Sequence, residues 1–494
     1  VPGSEPRLDA PQSNAGATGN DAAPTGIMAD FGGGEKSCIR PFTSGRQPLS
    51  KVPARGSSTG GVGGCAAELA TSGLSSASSS GQSSCKEHRS LATVRLKPGH
   101  VQPVWAGHPW VYAQAIERVE GGATRGAEVR VVDPRGNFLG RGFYSSGSAI
   151  PVRILVRDET TAIDTSFFRA RFERALAARQ ALGIGTSPDT TGYRVVHAEG
   201  DGLPGLIVDK FEDVLVVQLL TFGMKEREAM IFEALGQAFR PRAIIDRTPA
   251  NAAKLEGFTP GQGVVRGENV TTLSFRERAL AWTIPFDLGQ KTGFYFDQRE
   301  LRGRVEALSK GKRVLDAYSY IGAFGLAAAR GGATEVVSVD ESAAAMEVGA
   351  ECARANDLAG VIRFQRGDAR RIMQEAHASF DLAVVDPPRL APSRGAREQA
   401  LVQYSKVAEL GCRAVKPGGL LVLCSCSAAV DLAALTRALA TGAVRANVDA
   451  IVLERAFQGA DHPVPAAFSE GLYLKALIAR VEPRSTRSTA PVTP

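Results

Sequence analysis

The chain has 494 residues, 44% of them hydrophobic, with 58 Lys and Arg against 51 Asp and Glu and a net charge of +7. That length allows two to four domains, and the composition is ordinary for a soluble globular protein; no apolar run is long enough to span a bilayer, so no membrane role is expected. The basic balance suits a polyanionic partner, and it suits a mildly basic enzyme that never meets nucleic acid equally well.

Residues 1–91 show no hydrophobic period. They are rich in Gly, Ser, Ala and Pro, as in GSSTGGVGG (56–64) and SGLSSASSSGQSS (72–84). Such a segment buries too little apolar surface to offset its conformational entropy, so a disordered leader is expected. The first residue is Val1 rather than Met, which points to a missing true N-terminus. The acidic Glu5, Asp9, Asp21 and Asp30 weigh against a transit peptide. The seven cysteines include Cys38, Cys65 and Cys85 in this leader. Their odd number and irregular spacing argue against a disulfide scaffold. No Cys or His group has zinc-ligand spacing, so no metal is expected.

Order is expected from Thr93. VRLKPG, EVRVVDPRGNFLGRGFY and AIPVRILV read as strands between Gly-rich turns, giving a small β-barrel over about 93–156. Its surplus of Arg suits a nucleic-acid module or a merely solvated barrel surface. A helix follows in FFRARFERALAARQALG (167–183), by its 3.6-residue apolar spacing. Strands are predicted within 193–220, then a helix over 225–239 and a strand AIIDR (243–247). These make an α+β middle region ending near residue 280. From about residue 285 the strand-like runs RVLDAYSY, EVVSVDES, IRFQRGDA, FDLAVVDPP and GLLVLCSCS alternate with helices. That alternation predicts an α/β, doubly wound parallel sheet, which binds ligands at the carboxyl ends of its strands.

Three acids end successive strands. Asp316 closes the first, followed by a small-residue turn through Tyr318, Ser319 and Gly322, with a helix from about Ala323. Asp340 closes the second, where a carboxylate can accept both hydroxyls of a ribose. Asp368 follows the third and could accept from an adenine amino group. Each acid alone could be a helix cap; three in order favour a nucleoside ligand, with S-adenosylmethionine (SAM) and nicotinamide cofactors both open. In DLAVVDPPRL (381–390) two prolines fix a stiff turn after Asp386, either a plain strand stop or a rigid wall between cofactor and target.

LLVLCSCSAAV (420–430) carries Cys424 and Cys426 at i and i+2, on one strand face. Buried free cysteines are usually inert. At a sheet's carboxyl edge, however, a thiolate faces the cleft. Sulfur adding to carbon 6 of a cytosine makes carbon 5 nucleophilic enough to take a methyl group. That chemistry calls for a lowered thiol pKa.

Taken together, HPWVY (108–112), YRVVHAEGDGLPGLIVDKF (193–211), GQKTGFYFDQR (289–299), VLDAYSYIGAFG, VVSVD, VVDPPRL, LCSCS and ADHPVPAAFSEGLYLK (460–475) resemble the bacterial 23S ribosomal RNA cytosine-5 methyltransferase family with an N-terminal PUA domain. The resemblance covers roughly residues 93–482. It implies a disordered leader (1–91), a PUA RNA-binding domain (92–158), an α+β connector (159–280), a class I Rossmann-like methyltransferase domain (281–482) and a disordered tail (483–494). It implies SAM as cofactor and large-subunit ribosomal RNA as partner, with no metal and no membrane. The oligomeric state is open, a homodimer included, and a cytoplasmic location is expected unless the leader is an organellar signal. By resemblance Cys426 is the nucleophile and Cys424 its neighbour. Gln298 and Arg299 sit near the cofactor's methionine end, Arg299 pairing with its carboxylate. Asp340 is the ribose acid and Asp368 the adenine-facing acid. Asp386 lies near the methyl group and the target base; the motif does not identify the base that removes the carbon 5 proton, for which Asp386 and a bound water are the candidates. Asp316 stands where relatives carry Asn. His462, Glu470, Tyr473 and Lys475 invite RNA contact, though closing the sheet edge is the plainer expectation for them. Methylation at another base position, or an assembly factor without catalysis, are the alternatives.

Overall fold

The computed structural model describes residues 91–288, 291–390 and 394–484. The expected leader through residue 90, with Cys38, Cys65 and Cys85, and the expected tail from residue 485 lie outside those residues.

The first sheet holds β1 (Ala92–Leu96), β2 (Trp110–Val111), β3 (Ile116–Glu120), β4 (Glu128–Val132), β5 (Phe138–Tyr144) and β6 (Val152–Val156), in the order β2-β6-β5-β4-β1-β3. A short helix α1 (Val101–Trp105) precedes β2. β1 runs parallel to β4 and antiparallel to β3. Period-two alternation turns Val94, Leu96, Val129, Val131, Val152 and Ile154 into one core. Gly142 lets β5 and β6 approach, because a Cβ there would collide with the Arg153 carbonyl.

The middle region starts with α2 (Thr165–Ala181), capped by Asp164, whose carboxylate accepts from the Phe167 amide. β7 (Gly192–His197), β8 (Leu206–Phe211), β9 (Val214–Leu219), β10 (Ala243–Arg247) and β11 (Gln262–Gly267) form a sheet ordered β11-β10-β9-β8-β7. The helix expected over 225–239 is broken into α3 (Phe222–Lys225) and α4 (Glu228–Phe239). Thr221 caps α3, and Arg227 leaves helical geometry before α4 begins. α5 (Ala250–Glu256) follows β10. Phe167, Phe168 and Phe172 of α2 pack onto Val195, Leu206 and Val217 of the sheet. The hairpin β12 (Thr272–Glu277) and β13 (Leu280–Pro285) then crosses towards the third layer. Phe275 and Trp282 of that hairpin share a core with Phe294 and Phe296.

The third sheet contains β14 (Arg313–Ala317), β15 (Glu335–Asp340), β16 (Ile362–Arg366), β17 (Phe380–Val385), β18 (Val415–Ser425), β19 (Val448–Phe457) and β20 (Lys475–Pro483). Its helices are α6 (Arg299–Leu308), α7 (Ala323–Arg330), α8 (Ala343–Ala355), α9 (Ala369–Ala376), α10 (Arg397–Ala414) and α11 (Leu432–Arg445). The order β16-β15-β14-β17-β18-β20-β19 makes the first five strands parallel, as the alternation predicts. β20 is antiparallel to both β18 and β19, and its last residue reaches one position into the expected tail. This pair was not among the predicted strands. Apolar clusters cover both faces of the sheet. The strand order reverses between β14 and β17, and a crevice opens there at the strands' carboxyl ends.

Candidate functional site

The crevice has a volume of about 1010 Å³, room for a nucleoside and a second planar group. Its floor is the turn after β14. Tyr318 and Tyr320 both adopt left-handed backbone, at φ 63° and 52°. Side chains rarely accept that conformation, and it persists where surrounding contacts impose it. Here the Ser319 amide donates to the Val339 carbonyl at 2.9 Å. The Tyr320 amide donates to Asp340 Oδ2, also at 2.9 Å. Gly322, at φ 75°, turns the chain into α7, and a Cβ there would press on the Phe364 ring.

Asp340 is held from both sides, since its Oδ1 accepts from the Ser342 amide at 3.0 Å. The carboxylate therefore sits fixed on the cleft wall. Asp368 also lines the cleft, and its Oδ1 caps α9 through the Arg370 amide at 2.8 Å. The helix-cap reading and the cleft reading are both met by this residue.

Asp386 follows β17 and accepts from Gln298 Nε2 at 3.0 Å. Burial, then the negative charges of Asp297 and Asp316, push its carboxyl up to about 7. Asp297 is buried too. Burial alone would raise it, but Lys291, His462, the Tyr473 hydroxyl at 2.7 Å and Arg194 outweigh that and hold it below the usual carboxylate value.

The two cysteines part company. Cys424 lies inside β18, wholly buried among Val384, Val422 and Ile478, and burial raises its thiol well above the ordinary value. β18 ends at Ser425, so Cys426 falls just beyond the ladder, half-buried, on the cleft wall. Beneath it Ser425 Oγ donates to the Tyr404 hydroxyl at 2.9 Å, and Tyr404 reaches Ser427 Oγ at 3.2 Å. The buried Lys475 ammonium bridges the carbonyls of Ser427 and Tyr473 at 3.1 and 2.9 Å. The lowered thiol value that the chemistry called for is absent. Burial, and after it the Asp386 carboxylate, push the Cys426 thiol up, while Lys291 and Arg389 pull it back only in part.

The structure brings Gln298, Tyr318, Ser319, Asp340, Asp368, Asp386 and Cys426 to one cleft. Three predicted residues are not on its wall. Arg299 is turned away by the start of α6 and lies buried against Asp461, Glu277 and the Gly192 carbonyl. A cofactor carboxylate would have to displace those partners, so the expected pairing is corrected. Asp316 lies under the floor, where its Oδ2 accepts from the Gly325 amide at 2.8 Å and from Ser338 Oγ. Gly322 shapes the floor from behind in the same way. Lys291, Tyr295 and Asp297 line the cleft without having been singled out, and Glu470 and Tyr473, weighed above for RNA contact, line it as well. The motif GQKTGFYFDQR that carried Gln298 also carried Lys291 and Asp297, so proximity to Gln298 was the available signal.

Residues 458–474 do not close the sheet edge. They run across to the middle region, where buried Asp461 accepts from the Arg194 amide and from Arg299, and its own carbonyl accepts from Arg179. From there Glu470 and Tyr473 return to the cleft. Glu470 is held by the first sheet: Tyr112 donates to it at 3.1 Å and His108 lies 3.5 Å away. Trp110 donates to Glu199 at 2.7 Å and packs its ring on Phe468. The HPWVY segment thus ties the first sheet to one wall of the cleft.

Asp297 Oδ1, Gln298 Oε1 and Ser319 Oγ are buried polar atoms of the cleft with no partner among the described residues. Leaving such atoms unsatisfied is costly, so the site suits a polar ligand that supplies their hydrogen bonds. Together with the fixed Asp340, the donor and acceptor set fits an amino-acid-bearing nucleoside. Among the described residues no cluster of His, Cys, Asp and Glu is arranged to hold a metal ion.

Comparisons with known proteins agree with this architecture. Residues 94–157 match the model of a PUA-like domain, and residues 197–466 match that of an S-adenosylmethionine-dependent methyltransferase. Ribosomal RNA large subunit methyltransferase I of Shewanella denitrificans is 36% identical over 394 residues, covering 78% of this chain and 99% of that protein. Its counterpart in Aeromonas salmonicida is 35% identical over 392 residues, covering 78% and 98%. A solved structure from Streptococcus mutans, described as a SAM-dependent methyltransferase, superposes with a TM-score of 0.68 at 18% identity, over 78% of this chain and 99% of that one. A methyltransferase solved with SAH gives 0.69 with the same coverage. At that identity the two structures speak for the fold alone.

Proposed function

The chain belongs to the ribosomal RNA large subunit methyltransferase I family of SAM-dependent methyltransferases, and on that footing we propose that it methylates carbon 5 of a cytosine in large-subunit ribosomal RNA with Cys426 as covalent nucleophile. The observation that carries this reading is the position of Cys426 on the cleft wall beside Asp386, while Cys424 is sealed in the core. In this reading residues 92–158 bind RNA, 159–280 connect, and 281–482 carry the chemistry, in the cytoplasm where that RNA is found.

SAM, when bound, supplies an electrophilic methyl group on its sulfonium. Asp340 would hold its ribose hydroxyls and Asp368 its adenine edge, with Gln298 and Ser319 near the amino-acid end. The Cys426 sulfur, as thiolate, adds to carbon 6 of the cytosine, and the electron pair of the 5,6 double bond moves to carbon 5; the methyl group would be received there, its bond to the sulfonium breaking and the pair staying with the departing thioether. Asp386 then takes the carbon 5 proton, the carbon–sulfur bond breaks, and the double bond re-forms. Asp386 must be ionised to accept that proton. Its carboxyl is held at about 7, so the methylation rate should fall as pH drops through 7. Asp386→Asn should lower kcat by about 10²–10⁴-fold and remove that limb of a pH–rate profile.

The raised Cys426 thiol favours one second reading, methylation at another base position with Cys426 inert. Both are tested by incubating the chain with labelled SAM and unmodified large-subunit rRNA, then digesting the RNA to nucleosides for mass analysis. We expect 5-methylcytidine; label in any other nucleoside overturns the reading.

A further inference from the structure

Two acids and a thiol face one another across the cleft. A thiolate there meets the Asp386 and Asp297 carboxylates, and both oppose it. A cation must offset them if the sulfur is to ionise near neutral pH. Arg302, on the cleft wall, is already held by both oxygens of Glu277, at 2.7 and 2.5 Å. Lys291 differs. It lines the cleft with Cys426, Asp386 and Asp297, and its ammonium makes no hydrogen bond or ion pair among the described residues. It lies over the Tyr295 ring, 4.6 Å from the centroid. Its backbone is left-handed at φ 52°, a conformation a long side chain rarely adopts, in the turn leading to Phe294 and Tyr295. The chain thus bends to bring this one ammonium to the acids and the thiol, and the Tyr295 face steadies it there.

We propose that Lys291 is a positioning residue acting through Cys426, the cation that stabilises the Cys426 thiolate between the two carboxylates. This rests on Cys426 as the nucleophile. The charges that face the thiol are Asp386 and Arg389 from the segment after β17, and Asp297 and Lys291 from the segment before α6. Tyr295, Tyr404 of α10, Lys475 of β20 and Cys424 are further titratable groups within its field. Lys291 lowers Cys426, Asp386 and Asp297 alike, which agrees with a shared counter-ion. Removing it leaves Arg389 alone against two negative charges facing the sulfur and moves thiolate formation to higher pH.

The test is the pH dependence of Cys426 alkylation by iodoacetamide in the full chain, read on the Cys426 peptide by mass spectrometry. Lys291→Gln should raise the midpoint by about one pH unit, slowing alkylation at pH 8 by up to about tenfold. Lys291→Arg, which keeps the charge, should stay within a few tenths of a unit of the parent. SAM affinity by calorimetry should change less than about twofold in either variant. An unchanged midpoint in Lys291→Gln overturns the proposal. So does a midpoint raised equally by Lys291→Arg, or a large loss of SAM affinity with an unmoved midpoint, which would make Lys291 a cofactor ligand. Alkylation does not require methyl transfer, so failure of Cys426 as nucleophile is seen separately, as methylation that survives Cys426→Ala.

Discussion

Cys426→Ala should abolish methyl transfer, by about 10⁴-fold or more, and leave SAM binding intact. The loss is large because no other thiol of the described residues can stand in. Cys352 and Cys412 are buried away from the cleft, and Cys424 is enclosed with its thiol pushed well above the ordinary value. The binding of SAM should survive because the groups expected to hold it, Asp340, Asp368, Ser319 and Gln298, come from the ends of β14 to β16 and the segment before α6 and not from β18. The fold should survive as well. Cys426 lies past the end of the ladder and is half-exposed, so its truncation leaves no closed cavity. Methyl transfer to RNA from labelled SAM, with SAM affinity by calorimetry on the same sample, decides the matter. Full activity in the alanine variant would sink covalent catalysis.

Asp461→Ala should destabilise the chain by about 3–5 kcal/mol, without touching any atom of the cleft wall. Asp461 is completely buried. Burial would raise its carboxyl, but His462 and Arg299, with their hydrogen bonds, hold it far below the usual carboxylate range. Removing the carboxylate leaves the Arg299 guanidinium facing only Glu277 and a carbonyl, and leaves the His462 ring and the Arg194 amide without their acceptor. The pH sign follows from the lowered value. The stabilisation is present above the unfolded carboxyl value of about 4 and is lost as pH falls towards the folded one. Urea unfolding at pH 7 and at about pH 3, inside the window between the two values, measures both effects. Glu375→Ala, which breaks the exposed pair with Arg371, is the control and should leave the transition in place. Equal midpoints for Asp461→Ala and the parent would show that residues 458–474 are not anchored by this charge.

The parallel part of the third sheet was readable because each unit carries its own signal, a β-branched run ending in an acid and then an amphipathic helix. Asp340 and Asp368 were found on that signal alone. β19 and β20 escaped it, since VDAIVLERAF mixes charged and apolar residues in no clean alternation and β20 enters the sheet in reverse. Arg299 was misjudged for a different reason. Its neighbour Gln298 reaches the cleft, but the first turn of α6 points the next side chain at Asp461, 162 residues away. No spacing rule reports a partner at that distance.

The alternating α/β class, the order of the acid-bearing strands and the pair of cysteines at the end of the fifth parallel strand are legible in the chain without its fold. These follow from short-range patterns: period two in strands, 3.6 in helices, and glycine where the backbone must turn left. The resemblance already favours Cys426 over Cys424; what the tertiary structure adds is their difference in packing, one thiol beneath the sheet face and one beyond its last ladder bond. Only the tertiary structure placed Lys291 over Tyr295, sent Arg299 away from the cleft and tied Glu470 to His108 and Tyr112. Each of those outcomes depends on which groups from distant parts of the chain share a low-dielectric space. Charge and hydrogen bonding are settled there, after the strands have chosen their neighbours.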